Sequence, residues 1–238
     1  MSSKIYGVGD DLSEIRDEIN TLRWRYDQAK LRGDDAKAKE IIAEVRPLQA
    51  REREIDLQRR FAGMCPVTWT HTATDEAIEE KLDPVLKRFA SEPDLTTRTA
   101  LVLGPTGVGK SASMALALKR AVWRPKPYCS ATWFYARALA HAQRQYPLGK
   151  GDCPEVETAT DCALLILDDL GLERDPAELV DVVHARYEKK RPTWTSSGLT
   201  MPELRERYGD AFSRRLVEGR DQPGRVVSVF PKAAAAAR

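Results

Sequence analysis

The amino-acid sequence predicts a three-layered α/β domain with a mostly parallel sheet, preceded by a helical hairpin. From about residue 99, short apolar segments alternate with helical patterns, which is typical of a parallel sheet covered by helices. Before that point, apolar residues recur in steps of three and four, the spacing of one stripe along a helix. The 238 residues suffice for roughly one to two domains.

Residues 1–62 predict two helices that share an apolar seam. The first runs from about residue 11 to residue 31 and ends at Gly33, and the second continues to Ile55. Pro47 is expected to kink or split the second helix, because proline lacks the N–H that a helix interior uses. The seam consists of Leu12, Ile15, Ile19, Leu22, Tyr26 and Ala29, followed by Ala38, Ile41, Val45, Leu48 and Ile55.

The predicted hairpin is a candidate partner-binding region. It holds 13 basic and 13 acidic side chains, so it is not a polybasic arm. One possibility is that its seam closes on itself or on the next domain. The other is that the seam docks a partner protein, because two helices alone bury little apolar surface and helix faces are common recognition surfaces. Residues 63–94 are expected to form a linker and a lead-in helix, because Gly63, Pro66 and several threonines interrupt the periodic pattern.

Five apolar segments are the strand candidates of the second domain, which we assign to residues 95–231. Helices fit between the first four of them. The alanine-rich residues 232–238 are expected to be a disordered tail. The strand candidates are residues 99–103, 131–135, 163–167, 193–196 and 225–230.

Residues 104–111 match the phosphate-binding pattern GxxxxGK[ST] at every fixed position. A strand precedes the motif and a helix-favouring run follows it. In this context glycines let backbone N–H groups approach phosphates, and the helix N-terminus adds a favourable dipole. Lys110 is expected to contact the β and γ phosphates of ATP, and Ser111 to bind Mg²⁺. The candidate ATP-binding residues are Gly104, Pro105, Thr106, Gly107, Val108, Gly109, Lys110, Ser111 and Ala112.

A second acidic motif follows the third strand candidate. Residues 163–167 are apolar and end in Asp168 and Asp169, an arrangement that supplies carboxylates next to a phosphate loop. Asp168 is the candidate Mg²⁺ residue, and Asp169 is the candidate base that polarises the attacking water. Asp169 is one methylene shorter than the glutamate that most such ATPases use.

Composition excludes several other classes of protein. A net charge of +2 argues against a protein that is basic throughout and coats nucleic acid. The longest apolar runs are far shorter than the roughly 18 residues that span a bilayer, and the first ten residues lack signal-peptide features, so we expect a cytoplasmic protein. The four cysteines form no CxxC pair and lie far from the three histidines in sequence, which indicates neither a disulfide framework nor a zinc site.

Three runs of residues resemble motifs of the DnaC/IstB group of AAA+ ATPases. They are residues 164–173 (LLILDDLGLE), 185–193 (ARYEKKRPT) and 203–216, which contain RYGD and SRRL. The group comprises replicative helicase loaders and the ATPase helper proteins of some transposons. The resemblance covers about residues 95–230, somewhat over half of the chain.

The resemblance implies an AAA+ fold, ATP hydrolysis with Mg²⁺, and a homo-oligomeric ring or spiral. Arg215 matches the position of the family's arginine finger, which acts on a neighbouring subunit's ATP, and Arg214 is the alternative. Ser197 lies at the sensor 1 position, where the family often has Asn. A replicative helicase or a transposase is the implied partner, through the N-terminal helices, and single-stranded DNA is the implied nucleic acid.

Local charge indicates where DNA is contacted. Residues 111–151 contain no acid and carry +7, so the remainder of the chain carries −5. Aromatic residues interleave with these charges, as single-strand binding requires, although those of residues 133–135 also fit a strand and its core. In the resembling family this part faces DNA. The candidate DNA contacts are Arg124, Lys126, Arg137 and Arg144.

Three functions remain open. The leading hypothesis is an ATP-dependent accessory ATPase of DNA replication or transposition. The second is a small-molecule P-loop kinase, which ATP turnover stimulated by metabolites rather than by single-stranded DNA would favour. The third is a nucleotide-gated interaction protein with little hydrolysis, which negligible turnover in the presence of DNA and partner would favour.

Overall fold

A computed structural model describes residues 8–74, 77–124, 130–147, 149–151, 153–218 and 223–230, with the side chains of residues 8–11 excepted. The chain divides into two units, Met1–Arg60 and Phe61–Arg238. Within the described ranges, no helix is both long enough and apolar enough to cross a membrane.

Two helices form the first unit, as the sequence predicts. Helix α1 spans Val8–Leu31, and α2 begins at Asp35 and continues to Met64, running through Pro47 without a break. The predicted seam closes on itself. The seam residues nearest the open end of the hairpin pack with Ile55 and Leu48, and those nearest the turn pack with Ala38 and Ile41. A partner protein would therefore have to contact the outer face of the hairpin rather than this seam.

Residues 63–94 form more helix than the expected linker and lead-in helix. Helix α3 spans Val67–Thr74, α4 spans Ile78–Lys81 and α5 spans Pro84–Ala90. The threonines that favour a linker are accommodated in α3, because the hydroxyls of Thr70, Thr72 and Thr74 each donate to a backbone carbonyl four residues earlier.

A five-stranded parallel sheet with the strand order β2-β3-β4-β1-β5 forms the centre of the second unit, which confirms the predicted α/β fold. The strands are β1 (Ala100–Leu103), β2 (Ala131–Tyr135), β3 (Leu164–Leu170), β4 (Thr193–Ser197) and β5 (Arg225–Ser228). The helices between them are α6 (Lys110–Val122), α7 (Ala136–Gln145), α8 (Pro154–Asp161), α9 (Ala177–Glu188), α10 (Met201–Tyr208) and α11 (Asp210–Glu218).

Alternation along the strands divides the core between the two faces of the sheet. Leu101 and Leu103 of β1, with Leu165 and Leu167 of β3, share one core cluster with residues of α7 to α11. Because side chains alternate along a strand, Asp168 belongs to the opposite face from Leu167. The first residues of α6 meet Asp168 there, which brings the two predicted motifs together.

Candidate nucleotide-binding site

The phosphate loop leads from β1 directly into helix α6, whose first residue is Lys110. Gly109 occupies the N-cap position with a φ of 93°, in the left-handed region that favours glycine. A Cβ at Gly104 would lie 2.2 Å from Cγ2 of Val229, so a larger residue there would require the Val229 side chain to move. The N–H groups at the start of α6 have no partner within the helix by its geometry, and they are suited to bind phosphate oxygens.

The Lys110 side chain is buried and lies along the loop. Its ammonium donates hydrogen bonds to the carbonyl oxygens of Gly104, at 2.8 Å, and Pro105, at 3.0 Å. Burial lowers the pKa of Lys110, while the nearby carboxylates of Asp169 and Asp168 raise it. The lysine can exchange its neutral carbonyl partners for phosphate oxygens. An anionic partner would stabilise the protonated ammonium more than a carbonyl does.

Ser111 and Asp168 are in direct contact. The hydroxyl of Ser111 donates to Oδ1 of Asp168 at 2.8 Å, and both residues are buried. The other carboxylate oxygen of Asp168, Oδ2, is buried and has no hydrogen-bond partner among the described residues. Burial raises the pKa of Asp168, although hydrogen bonds from Ser196 and Ser111 oppose this effect. The site therefore contains an unsatisfied oxygen that a cation would stabilise.

This pair of oxygen donors fits Mg²⁺. Magnesium prefers hard oxygen ligands and is commonly held by one or two protein groups together with substrate phosphates. Ser111 offers a hydroxyl and Asp168 a carboxylate at the same point of the sheet edge. A bound Mg²⁺ would neutralise charge on the phosphates.

The acidic pair lies in a β-bulge. Leu167 pairs with Thr195 and Leu170 with Ser197, so Asp168 and Asp169 together stand opposite the single residue Ser196. Asp169 has a φ of 58°, which Asp tolerates better than most residues do. The bulge gives the two neighbouring carboxylates different environments, with Asp168 buried and Asp169 partly exposed.

Ser196 connects the two aspartates and is the site residue that sequence reasoning missed. Its hydroxyl donates to Oδ1 of Asp168 and accepts from the backbone N–H of Asp169 at 3.0 Å. The only sequence signal was its position at the end of the fourth predicted strand. Its hydroxyl orients both carboxylate-bearing residues.

The hydroxyl of Ser197, the candidate sensor, makes its hydrogen bonds elsewhere. It donates to the carbonyl oxygen of Leu170 at 2.6 Å and accepts from the N–H of Leu199 at 3.1 Å. Successive strand residues point to opposite faces, so Ser196 and Ser197 cannot both face the aspartates. The structure therefore assigns the contact with the acidic pair to Ser196.

Both candidate finger arginines lie on α11. Arg215 is partly buried, with its guanidinium carbon 5.9 Å from the ring centre of Tyr187. Arg214 is more exposed and forms a 3.8 Å ion pair with Glu218, one turn away. Arg214 is therefore the more accessible of the two, and Arg215 lies against Tyr187 of its own chain.

The family-like run of residues 185–193 has a structural basis in Arg186. This side chain is fully buried and donates to the carbonyl oxygens of Ala159, Cys162 and Pro192. It also donates to the Thr193 hydroxyl at 2.9 Å. Arg186 thereby connects α9 to α8 and to the start of β4, which carries Ser196.

The three candidate DNA residues that the structure describes lie at different ends of their helices. Arg124 follows α6 and donates to the carbonyl of Glu92, near the amino edge of the sheet. Arg137 is exposed at the start of α7, directly after the carboxyl end of β2. Arg144 lies at the end of α7, 3.6 Å from Glu178. Lys126 lies outside the described residues.

Comparisons with known proteins found similarity in structure. No family model matches the chain, and no curated protein matches its sequence. The DnaC helicase loader has a TM-score of 0.49 and 16% identity, and the match covers 66% of this chain and 89% of that chain. A primosome component from Streptococcus pyogenes has a TM-score of 0.49 and 16% identity, covering 73% and 94% of the two chains.

DnaA from Aquifex aeolicus, in a structure with bound AMPPCP, has a TM-score of 0.45 and 23% identity, covering 60% of this chain and 44% of that chain. At such identities a likeness concerns the fold rather than the activity.

Proposed function

We propose that this protein is an AAA+ ATPase that serves as an accessory protein in DNA replication or transposition. The observation that carries the proposal is the contact between Ser111 and Asp168, beside the buried Lys110, because it unites a phosphate loop with a carboxylate suited to Mg²⁺. ATP is the ligand, with Mg²⁺ as its cofactor.

Four sets of residues share the proposed ATP hydrolysis. Lys110 and the first N–H groups of α6 bind the phosphates, and Ser111 and Asp168 hold Mg²⁺. Asp169 polarises the attacking water, which its partial exposure permits. Arg215, or Arg214 beside it, comes from α11 of a neighbouring copy and stabilises the charge on the transferring phosphoryl group. The active form is therefore a homo-oligomer.

ATP turnover by purified protein tests the enzymatic part. Wild-type protein should hydrolyse ATP with Mg²⁺, and Asp169→Asn should lower turnover by at least about tenfold while retaining ATP binding. Lys110→Ala should lose both binding and turnover. Stimulation by single-stranded DNA, but not by small metabolites, supports this function over a kinase. Equal turnover by wild type and both variants would contradict it.

The hairpin is the proposed contact for a helicase or a transposase. Since its seam is closed, the outer face is what remains for a partner, and Trp24 and Ile42 are exposed there by 64% and 39%. In the full chain, Trp24→Ser should abolish co-purification of the helicase or transposase while ATP turnover is unchanged. Retained co-purification would contradict this contact.

A second candidate is a nucleotide-gated interaction protein with little hydrolysis. Two observations favour it. The acid after Asp168 is Asp169, which is one methylene shorter than the usual glutamate. The hydroxyl of Ser197, the candidate sensor, donates to the backbone carbonyl of Leu170. It predicts tight ATP binding and partner release on nucleotide exchange, with no measurable turnover even when DNA and partner are present.

A further inference from the structure

Glu173 forms a buried polar cluster a few residues after the acidic pair. Its side chain is fully buried, yet its carboxylate accepts from both Nε and Nη2 of Arg207, at 3.1 and 3.0 Å, and from the hydroxyl of Tyr208. Arg207 also donates to the backbone carbonyl of Glu173. A buried carboxylate with this many donors is fixed in orientation, and removing its charge leaves those donors poorly matched.

The other oxygen of Glu173 connects the cluster to the nucleotide site. Oε2 accepts from the N–H of Gly171 at 2.9 Å. The N–H of Leu172 in turn reaches the carbonyl of Asp169, at 3.4 Å. Residues 168–173, which we call the acid turn, therefore contain two local hydrogen bonds, one from Leu172 to the candidate base Asp169 and one from Gly171 to Glu173.

The cluster also reaches α11. The Tyr208 ring stacks on Phe212 of α11, with ring centres 4.6 Å apart and an angle of 17° between the rings. Phe212 is 1% exposed and belongs to the core cluster against the sheet. Because Phe212 is only two and three residues from Arg214 and Arg215, a shift of the stacked pair would move the end of α11 that carries these arginines.

We propose that Glu173 is a positioning residue that couples each subunit's acid turn to its own α11, and thereby sets the arginine that acts on the neighbouring subunit's ATP. This inference rests on the proposed function, because it requires an arginine supplied between copies. Glu173 touches neither substrate nor metal in this role. It acts through Arg207, Tyr208 and Phe212, so that the state of one ATP site is transmitted to the next.

A mixture of two disabled subunits tests the coupling. Donor subunits carry Lys110→Ala and keep their arginines, and receiver subunits carry Arg214→Ala with Arg215→Ala and keep their phosphate loop. Neither alone should turn over ATP, and the mixture should recover turnover at interfaces where a donor faces a receiver. Glu173→Gln is then added to either the donor or the receiver, with Glu206→Gln as the matched control, since Glu206 is an exposed acid on the adjacent α10.

Glu173→Gln in the donor should lower turnover of the mixture about fivefold to tenfold. In the receiver, where the substitution acts only through that subunit's own acid turn, the loss should be smaller. Tyr208→Phe, which keeps the ring stack and removes the hydroxyl, should give a smaller loss that also follows the donor. Circular dichroism checks that each variant folds. A merely structural effect would appear in whichever subunit carries the substitution.

The reference mixture is the mixture of donor and receiver subunits without Glu173→Gln. If it recovers turnover, the proposed function is upheld. Equal losses when Glu173→Gln is placed in the donor or in the receiver, or no loss when it is placed in the donor, would then overturn the coupling. A reference mixture without turnover would instead overturn the arginine supplied between copies, and the coupling with it. The two failures are thus distinguishable from the same set of measurements.

Discussion

The hydroxyl of Ser111 lies 2.8 Å from Oδ1 of Asp168, and this contact joins residues that are 57 positions apart in the chain. Ser111 belongs to the first turn of α6, and Asp168 to the bulged end of β3. Each motif alone predicts a role for its own residue. Their contact shows that the fold delivers a hydroxyl and a carboxylate to one point, next to an oxygen of Asp168 that has no described partner.

We expect Ser111→Ala to weaken binding of ATP in the presence of Mg²⁺ by about 10-fold to 100-fold. The substitution removes one metal oxygen and one hydrogen bond to Asp168, but no phosphate-binding N–H group. Binding of ATP in the presence of a chelator should therefore change little. Titration calorimetry with and without Mg²⁺ measures both affinities.

Ser113→Ala is the matched control for Ser111, because its hydroxyl donates to the carbonyl of Lys110 within the same helix. This variant should lose about 1 kcal/mol of stability and keep its Mg²⁺ dependence. An equal effect of both substitutions on binding with Mg²⁺ would contradict the metal role of Ser111.

Asp168→Asn should stabilise the ligand-free protein by about 1 kcal/mol at neutral pH. Burial raises the pKa of Asp168, so the folded protein keeps a proton on this carboxyl at pH values where the unfolded chain has lost it. The free energy of unfolding of the wild type therefore falls as the pH rises through that interval, and the variant lacks this component. The advantage of the variant should shrink as the pH is lowered toward the ordinary carboxyl range.

Chemical denaturation across a pH series measures this difference. Mg²⁺ and ATP should reverse the order of stability, because the wild type binds them together through Asp168, whereas the variant keeps only the weaker binding of ATP by the phosphate loop. A difference between the two proteins that stays constant from acid to neutral pH would rule out a raised pKa at Asp168.

Ser196→Ala should lower ATP turnover by about 10-fold or more, with a much smaller effect on ATP affinity. The substitution removes the hydrogen bond to Asp168 and the acceptor for the N–H of Asp169, so both carboxylate-bearing residues lose orientation. Ser197→Ala removes contacts with Leu170 and Leu199 only, and should cost about 1 kcal/mol of stability with turnover nearly intact. Turnover and thermal unfolding of both variants are compared, and a larger loss of turnover in Ser197→Ala would reverse the assignment.

The choice between Ser196 and Ser197 marks where sequence reasoning reached its limit. Apolar runs and the GxxxxGK[ST] pattern predicted the strands, the loop and Asp168, because those depend on local composition and spacing. Which serine faces the aspartates depends on the register between β3 and β4, and a shift of one residue exchanges the two faces. The bulge at Asp168 and Asp169 sets that register, and no local pattern predicts it.

Residues 63–74 show a second limit of the same kind. Threonines and Pro66 are statistical signs of a loop, yet the hydroxyls of α3 bond their own helix and Ala73 is 1% exposed. Burial against the rest of the unit outweighs a weak local preference. Tertiary contacts of this type, like the pairing of Glu173 with Arg207, are absent from any single stretch of sequence.

Arg137→Ala should weaken binding of single-stranded DNA more than Arg124→Ala does. Arg137 is exposed at the carboxyl edge of the sheet, the edge that carries the phosphate loop, whereas Arg124 donates to the carbonyl of Glu92 near the opposite edge. If Arg137 contacts one phosphate, its loss should reduce the slope of log affinity against log salt concentration by about 0.7. Fluorescence anisotropy over a salt series measures this slope, and Arg124→Ala serves as the charge-matched control. Identical slopes for the wild type and Arg137→Ala would exclude Arg137 from the DNA contact.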